Sequence, residues 1–160
     1  MKRRSVVWFF AVFACLVPLA GCGFRPAYQA ETAEKLAQVS FAPMADRQGH
    51  ILRSALVRAF DPQGLDLPPE YEFSGNWTAN VENLLSEDSD IRSARGTLTL
   101  SGTLQDTKGH TLWSGQVSRS ALFVQHVLPS LSADAQDRLW QDLSAQLAQD
   151  LVWAISDILE

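Results

Sequence analysis

Apolar and polar residues alternate along three stretches in the middle of the chain. Over residues 71–82 the apolar positions are separated by Glu, Ser, Asn and Thr. The same period of two recurs over residues 94–104 and, after an Asp-Thr-Lys-Gly turn at 106–109, over residues 111–123. A period of two is typical of strands with one buried and one solvated face. We therefore predict three consecutive antiparallel strands. The residues predicted on their buried face are Tyr71, Phe73, Trp77, Ala79, Val81, Ala94, Leu98, Leu100, Leu104, Trp113, Val117, Ala121 and Phe123.

Apolar residues at intervals of three and four predict two amphipathic helices, one before and one after the three strands in the sequence. The first covers residues 46–60, with Asp46 as its N-cap, and ends before a proline-containing loop at 61–69. The second covers residues 133–159, with Ser132 as its N-cap. Its predicted core-facing residues share an arc of roughly 120° on the helix surface. They are Leu139, Trp140, Leu143, Leu147, Leu151, Ala154 and Ile158.

A short strand at 36–42, ended by Pro43, completes the predicted elements. The segment before it has no clear period and is expected to be an extended tether. The order of elements predicts an α+β fold, a two-layer sandwich in which two helices pack on one face of a four-stranded, mostly antiparallel sheet. The predicted division of the chain is a removable leader at 1–21, a tether at 22–35 and a single α+β domain at 36–160.

The N-terminal segment has the plan of a secretory signal peptide, with three basic residues at 2–4 followed by an uncharged run at 6–20. The Leu-Ala-Gly-Cys sequence at 19–22 resembles the bacterial lipobox, in which the cysteine receives lipid on its sulfur, becomes the first residue after cleavage and is then N-acylated. An uncleaved membrane anchor is the alternative, although a spanning helix needs about 20 apolar residues and Pro18 interrupts this run. By resemblance to enterobacterial lipoproteins, Gly23 favours export to the outer membrane, with the domain on its periplasmic side.

The predicted leader changes the charge and the cysteine balance of the chain. Its removal leaves 139 of the 160 residues, enough to bury about two thirds of the surface that the unfolded chain exposes. It also takes three of the 13 basic residues and none of the 18 acidic ones, which leaves a formal charge of −8. A negative charge disfavours partners such as nucleic acid and anionic head groups. Because Cys15 leaves with the leader and Cys22 carries lipid, no disulfide is expected.

The residue types that would mark an enzyme or a metal site are scattered. His50, His110 and His126 are isolated, and none is spaced as a metal ligand with another His or Cys. Neither a Gly-rich phosphate loop nor a Gly-x-Ser-x-Gly motif is present in the sequence. The acidic residues at 87–90 lack the Gly and the distant Glu of a calcium loop, which favours a solvated hairpin tip. We therefore expect no catalytic residue, no metal and no cofactor other than the covalent lipid; a small periplasmic hydrolase that uses His50 or His126 remains an alternative.

Several short motifs resemble the LPS-assembly lipoprotein LptE family, particularly its alphaproteobacterial branch. The chain after the leader begins Cys-Gly-Phe-Arg-Pro at 22–26, and the first predicted helix begins Asp-Arg-Gln-Gly at 46–49 and continues with Leu-Arg and Ala-Leu pairs at 52–56. The order of predicted elements is similar over the whole chain after the leader. The sequence departs from the family at 27–29, where Ala-Tyr-Gln replaces Leu-Tyr-Gly, and at 122–125, where an aromatic Ser-Tyr-Asn-like stretch is common in the family.

The resemblance implies a non-enzymatic role in the cell envelope. Proteins of this family sit in the lumen of the large outer-membrane β-barrel LptD, stabilise its assembly and help to move lipopolysaccharide to the outer leaflet. The implied partners are thus an LptD-type barrel and lipopolysaccharide, with the outer membrane reached through the lipid anchor. An alternative of another class is a lipid-anchored adaptor that regulates a cell-wall synthase or binds peptidoglycan.

Three basic residues are candidates for lipopolysaccharide binding. Arg92 and Arg95 stand near the acidic hairpin tip, where a guanidinium can form paired hydrogen bonds with a lipid A phosphate. Lys108, in the next predicted turn, is a further candidate. The alternative for the arginines is that they only balance the neighbouring acidic charges.

Three other residues are candidates for contacts with the partner. Phe24 and Arg25 follow the lipidated cysteine, and Trp153 falls on the polar face of the last predicted helix. Tryptophan is over-represented in interface hot spots. A single exposed aromatic residue near the chain end is the alternative for Trp153.

Overall fold

Three long strands that pair side by side form the sheet on which the rest of the chain packs. The computed structural model describes residues 30–84, 92–125 and 129–160. In chain order the elements are α1 (Ala30–Ala37), β1 (Val39–Phe41), α2 (Asp46–Phe60), β2 (Tyr71–Leu84), β3 (Arg92–Asp106), β4 (Thr111–Gln125) and α3 (Pro129–Leu159). The leader, the lipobox, the start of the tether and the acidic segment at 86–90 lie outside the described residues.

The strands lie in the order β1-β2-β3-β4, with β1 parallel to β2 and the other pairs antiparallel. Helix α2 connects the parallel pair, since parallel neighbours need a crossover connection. The register of β2 and β3 is continuous from Tyr71 opposite Asp106 to Leu84 opposite Ser93. The predicted α+β fold, with helices on one face of a mostly antiparallel four-stranded sheet, is confirmed.

Helices α2 and α3 enclose the core against the sheet. The fully buried side chains of the sheet are Phe73, Leu98, Leu100 and Leu104, and those of the helices include Leu52, Leu56, Leu143, Leu147, Leu151 and Ile155. The strand residues follow the predicted alternation, because successive side chains of a strand point to opposite faces. Trp77 and Trp113 pack against this core while partly exposed, which confirms their predicted side of the sheet. Each fully buried apolar side chain of the core contributes about 1.5–3 kcal/mol to the free energy of folding, relative to leaving it exposed.

Ala79 departs from the predicted pattern because it is exposed. Strand β1 pairs only with Tyr71–Phe73 of β2. The remainder of β2 is therefore an edge of the sheet, where the short alanine side chain reaches no covering element.

A row of three glycines crosses the sheet next to two aromatic rings. Gly75, Gly102 and Gly115 pair in register across β2, β3 and β4. A Cβ atom at Gly102 would lie 2.6 Å from Cζ of Phe73, and one at Gly115 would lie 2.6 Å from Cζ2 of Trp113. The two rings, whose centroids are 6.1 Å apart, fill the space that side chains at these positions would need.

Helix α1 was not expected, because residues 30–35 were assigned to an extended tether. It is only eight residues long, and a helix this short is marginal on its own. Its docking explains its presence: Leu36 is buried, and Lys35 Nζ donates a hydrogen bond of 2.8 Å to the carbonyl of Leu159 at the end of α3. The described fold therefore includes residues from 30 onward, whereas the division of the whole chain into leader, tether and domain remains a prediction.

Both predicted N-caps are wrong. Helix α2 is preceded by Ala45, which makes no capping hydrogen bond through its side chain, and Asp46 is the first helical residue with a φ of 68°. Helix α3 begins at Pro129, three residues before Ser132. Proline suits the first position of a helix because its missing N–H would have no partner there.

The buried face of α3 rotates around the helix axis, so the prediction of core-facing residues is correct in the middle of the helix and partly wrong in its last turns. Leu139, Leu143, Leu147 and Leu151 are buried as predicted, but Ile158 is 44% exposed, and Ile155 and Leu159 are buried instead. Near its start, Leu139 of α3 lies against Gly96 of the sheet, and at its end the carbonyl of Leu159 accepts a hydrogen bond from Lys35 of α1. The buried residues from Leu139 to Leu159 recur at every fourth position. Four residues make slightly more than one helical turn, so the buried stripe winds around α3 and is not straight. Within the described ranges, no helix is long and apolar enough to cross a membrane.

An ion pair joins the edge strand β4 to α3. Arg119 donates to both carboxylate oxygens of Asp150, with 2.6 Å between Nη2 and Oδ1. This hydrogen bond lowers the pKa of Asp150 from its usual value and raises the pKa of Arg119. The pair fixes the helix against a strand that has no neighbour on its other side.

We predict that Gly102→Ala destabilises the fold. The new Cβ would meet the Phe73 ring and lie 2.5 Å from the Ser74 carbonyl oxygen, and overpacking of this kind costs about 1–3 kcal/mol. Chemical denaturation of the soluble domain measures the change. Ser120→Ala, at an exposed position of β4, is the control and should stay within about 0.5 kcal/mol of the parent. An unchanged midpoint for Gly102→Ala would contradict the packing described here.

We also predict an acid-dependent loss of stability through Asp150. A carboxyl group whose pKa is lowered on folding stabilises the fold above its unfolded pKa of about 3.9, and this contribution disappears as the pH falls through the folded value. The thermal midpoint should therefore fall more steeply below about pH 4 in the parent than in Asp150→Asn. Thermal melts at closely spaced pH values measure both slopes, and equal slopes would show that the ion pair contributes nothing.

Candidate functional site

The face of the sheet that the helices leave uncovered is polar and mostly uncharged along its middle. Its side chains come from alternate positions of three paired strands, and they are Ser74, Asn76, Thr78, Asn80, Thr97, Thr99, Ser101, Thr103, Ser114, Gln116, Ser118 and Ser120. Several bond to one another across strands, as Thr99 Oγ1 does with Ser118 Oγ at 2.9 Å. Such a face is ordinary for a solvated antiparallel sheet.

This face changes character where β2 leads into β3. Glu82, Arg95 and Leu122 form one row of the register, and Leu84, Ser93 and Val124 form the next. Leu122 is 63% and Val124 43% exposed. We call Glu82, Leu84, Arg95, Leu122 and Val124 the hairpin-end patch; it combines apolar side chains with one charge of each sign.

The side chain of Arg95, in the hairpin-end patch, is placed so that it can bind a ligand. It is exposed and makes no hydrogen bond or ion pair with the described part of the chain, although Glu82 lies directly opposite in the register. The acidic residues that would balance it, at 87–90, lie outside the described ranges. Arg92 is the first residue of β3 and pairs in register with Gln125. The structure thus places both candidate arginines at one end of the sheet.

Lys108 lies at the opposite end of the sheet. Eleven residue steps separate Arg95 from Asp106, the last residue of β3, which corresponds to roughly 36 Å along the strand direction. The turn that follows is a tight structural feature: Oδ1 of Asp106 accepts hydrogen bonds from the backbone N–H groups of Lys108 and His110, at 2.8 and 2.9 Å. These bonds, that of His110 first, lower the pKa of Asp106. A single phosphate group cannot contact both Lys108 and Arg95.

The predicted partner contacts are mostly beyond what the structure describes. Phe24 and Arg25, like the predicted lipidation site Cys22, lie outside the described residues. Trp153 is 54% exposed on α3, as the helical periodicity predicts. Its carbonyl accepts a hydrogen bond of 3.0 Å from Ser156 Oγ.

The histidines do not form a common site among the described residues. His50 is exposed on α2, whereas His110 is exposed in the turn between β3 and β4, where its Nδ1 lies 3.0 Å from Oδ2 of Asp106. His126 lies outside the described residues. Within the ranges that the structure describes, no group of three or more His, Cys, Asp or Glu side chains is placed to hold a metal ion.

The apolar part of the hairpin-end patch was not predicted from the sequence. Residues 121–124 are apolar on both faces of β4, whereas the rest of the strand carries polar residues on its solvent face. That loss of alternation was the available signal. It required the register to show that Leu122 and Val124 lie beside Arg95 and Leu84.

Comparison with known proteins gives a match at the level of structure. No protein-family profile and no curated protein sequence matches the chain. A Caulobacter crescentus protein assigned as a lipoprotein has a similar structure, with a TM-score of 0.65, 20% identity, and coverage of 81% of this chain and 96% of that one. The chain shares this fold. A minor lipoprotein from Acinetobacter baumannii is also similar, with a TM-score of 0.54, 15% identity, and coverage of 74% of this chain and 90% of the other.

Proposed function

We propose that this protein is an outer-membrane lipoprotein, anchored through Cys22, that plugs and helps to assemble an LptD-type β-barrel for lipopolysaccharide transport. One observation carries the proposal: a chain with a lipobox has the fold of two lipoproteins, and the match covers nearly all of each of them. The LptE-like motifs at the start of the chain and of α2 select this function among those open to an envelope lipoprotein.

The anchor sets where the domain works. Acyl chains contribute about 0.8 kcal/mol per buried methylene group, so the chains of a bacterial lipoprotein hold it firmly in a bilayer. Eight residue steps separate Cys22 from Ala30, where α1 begins, and a fully extended chain covers at most about 28 Å over that length. The folded domain therefore stays next to the membrane that holds its lipid, which raises its effective concentration toward a partner in the same bilayer.

The polar sheet face and the fold suit a plug. A wide β-barrel encloses an aqueous lumen, and a folded domain with a hydrated, hydroxyl-rich surface can occupy such a lumen without burying unpaired charges. The proposal requires no covalent chemistry from this chain. In it, Arg92 and Arg95 bind phosphate groups of lipopolysaccharide, and Trp153, Phe24 and Arg25 contact the barrel.

We predict that the native lipoprotein copurifies with a heat-modifiable barrel. Mild detergent extraction of outer membranes, affinity capture and mass spectrometry of the captured band and of the lipidated N-terminal peptide test this directly. Cys22→Ser should abolish the lipid and reduce capture of the barrel, because the domain loses its shared membrane. Capture of cell-wall enzymes alone, with normal surface lipopolysaccharide on depletion, would instead support the adaptor alternative and overturn this proposal.

We predict that reversing both arginines, Arg92→Glu with Arg95→Glu, weakens lipopolysaccharide binding about tenfold or more while the barrel still copurifies. Hydrogen bonds between charged partners contribute about 1.5–3 kcal/mol each. Binding to labelled lipopolysaccharide measures the effect. Lys108→Glu is the matched control, because it changes the net charge by the same amount per site at the far end of the sheet. Equal losses from the control would show a general charge effect rather than a site.

A further inference from the structure

A groove runs along the outer side of the helical layer between α2 and α3, with α1 at one end. Its volume is about 900 Å³. The floor is apolar and built largely from small or aliphatic side chains, which include Leu36, Ile51, Ala55, Ala59, Phe60 and Val152. The groove lies on the opposite side of the helices from the sheet and is separate from the hairpin-end patch.

The walls of the groove carry hydrogen-bonding side chains over its whole length. Arg47, His50, Ser54 and Arg58 succeed one another at intervals of three or four along α2, so they lie on one helix face. Gln141 and Gln149 face them from α3.

The charge of the groove is opposite to that of the chain. The whole sequence has a formal charge of −5, yet none of the described side chains that line the groove is acidic. Arg47 is paired with Asp137 at 2.6 Å. Arg58 and His50 make no hydrogen bond or ion pair with the described part of the chain. An occupant with a negative charge near Arg58 would therefore meet an unpaired guanidinium and no opposing carboxylate.

The position of the polar side chains favours a peptide over an acyl chain. An acyl chain lying on the apolar floor would offer no hydrogen-bond acceptor to the exposed donors on both walls and no negative charge to the unpaired guanidinium of Arg58. An extended peptide has a carbonyl oxygen at every residue, which the guanidinium, amide and hydroxyl groups of the walls can bind. In a helical peptide these carbonyls already accept hydrogen bonds within the helix and are not free to bind the walls.

We propose that the groove between α2 and α3 binds an extended, acidic segment of a partner protein. Arg47 and Arg58 are eleven residues apart, or about 16 Å along the helix axis, which matches about five residues of extended chain. Apolar side chains of the segment face the floor, an Asp or Glu pairs with Arg58, and its backbone carbonyls accept from the wall side chains. This inference goes beyond the proposed function, because it does not require the partner to be a barrel.

Site-specific photo-crosslinking in the native envelope tests the groove. The full-length lipoprotein carries benzoylphenylalanine in place of Ser54, which is exposed on the groove wall, and a control carries it in place of Thr107, which is exposed in the turn between β3 and β4. Irradiation of intact cells should give a protein adduct for Ser54 whose crosslinked peptide contains Asp or Glu within about three residues of the crosslinked position. Such an adduct should exceed the Thr107 background at least fivefold.

Charge reversal then tests the contact itself. Arg58→Glu should reduce the adduct at least fivefold, and Asp or Glu→Arg in the identified partner segment should restore it. The matched control is Arg138→Glu, an exposed arginine of α3 outside the groove, which should leave the adduct unchanged. If purified Arg58→Glu melts lower than the parent, Arg58→Gln replaces it, with a smaller loss expected.

Three outcomes would overturn the proposal. An adduct with lipid alone would assign the groove to an amphiphile. Adduct yields equal to the Thr107 control would mean that the groove has no occupant, and a protein adduct insensitive to Arg58→Glu would mean a contact without charge recognition. A charge-dependent adduct with a protein other than a barrel would uphold the groove and count against the plug, so the two proposals fail separately.

Discussion

The apolar contact that α3 makes with the sheet and with α2 is the interaction on which the rest of the structure depends. Leu143, Leu147 and Leu151 are fully buried at the centre of this contact. Each of the other two helices and strands β3 and β4 packs on α3, so the helix connects layers that would otherwise touch little. Because residues 30–160 contain no cysteine, packing of this kind is the main source of the free energy of folding.

Where one face of an element is exposed to solvent and the other is buried, the sequence predicted the type and the position of the element well. Strands β2, β3 and β4 alternate over most of their length because the helices cover only one side of the sheet, and α2 has both ends where periodicity placed them. Features that depend on tertiary contacts were not predicted. Helix α1 is too short to show a period and exists through its contacts with α3, while the winding of the buried stripe around α3 exposes Ile158 and buries Leu159.

The candidate sites depend on register and on crossing helices, which no single stretch of sequence contains. Arg95 could be recognised as a charged residue near a hairpin, but only the pairing places Leu122 beside it. In the same way, Arg58 and Gln149 come from helices that are far apart in sequence, and their shared groove follows from how α2 lies on α3. The isolated positions of His50 and His110 in the sequence correspond to separate elements of the fold, α2 and the turn between β3 and β4.

The hydrogen bond from Lys35 to Leu159 brings the beginning and the end of the folded domain together. The carbonyl of Gln38 also accepts from the backbone of Glu70 and Tyr71, at the start of β2, whereas Leu84 ends that strand roughly 43 Å further on. Lys35, Leu159 and the start of β2 therefore lie near one pole of the domain, and the end of β2 lies near the other. A lipid attached at Cys22, as proposed, would hold the first pole close to the bilayer and leave the second free to pivot away from it.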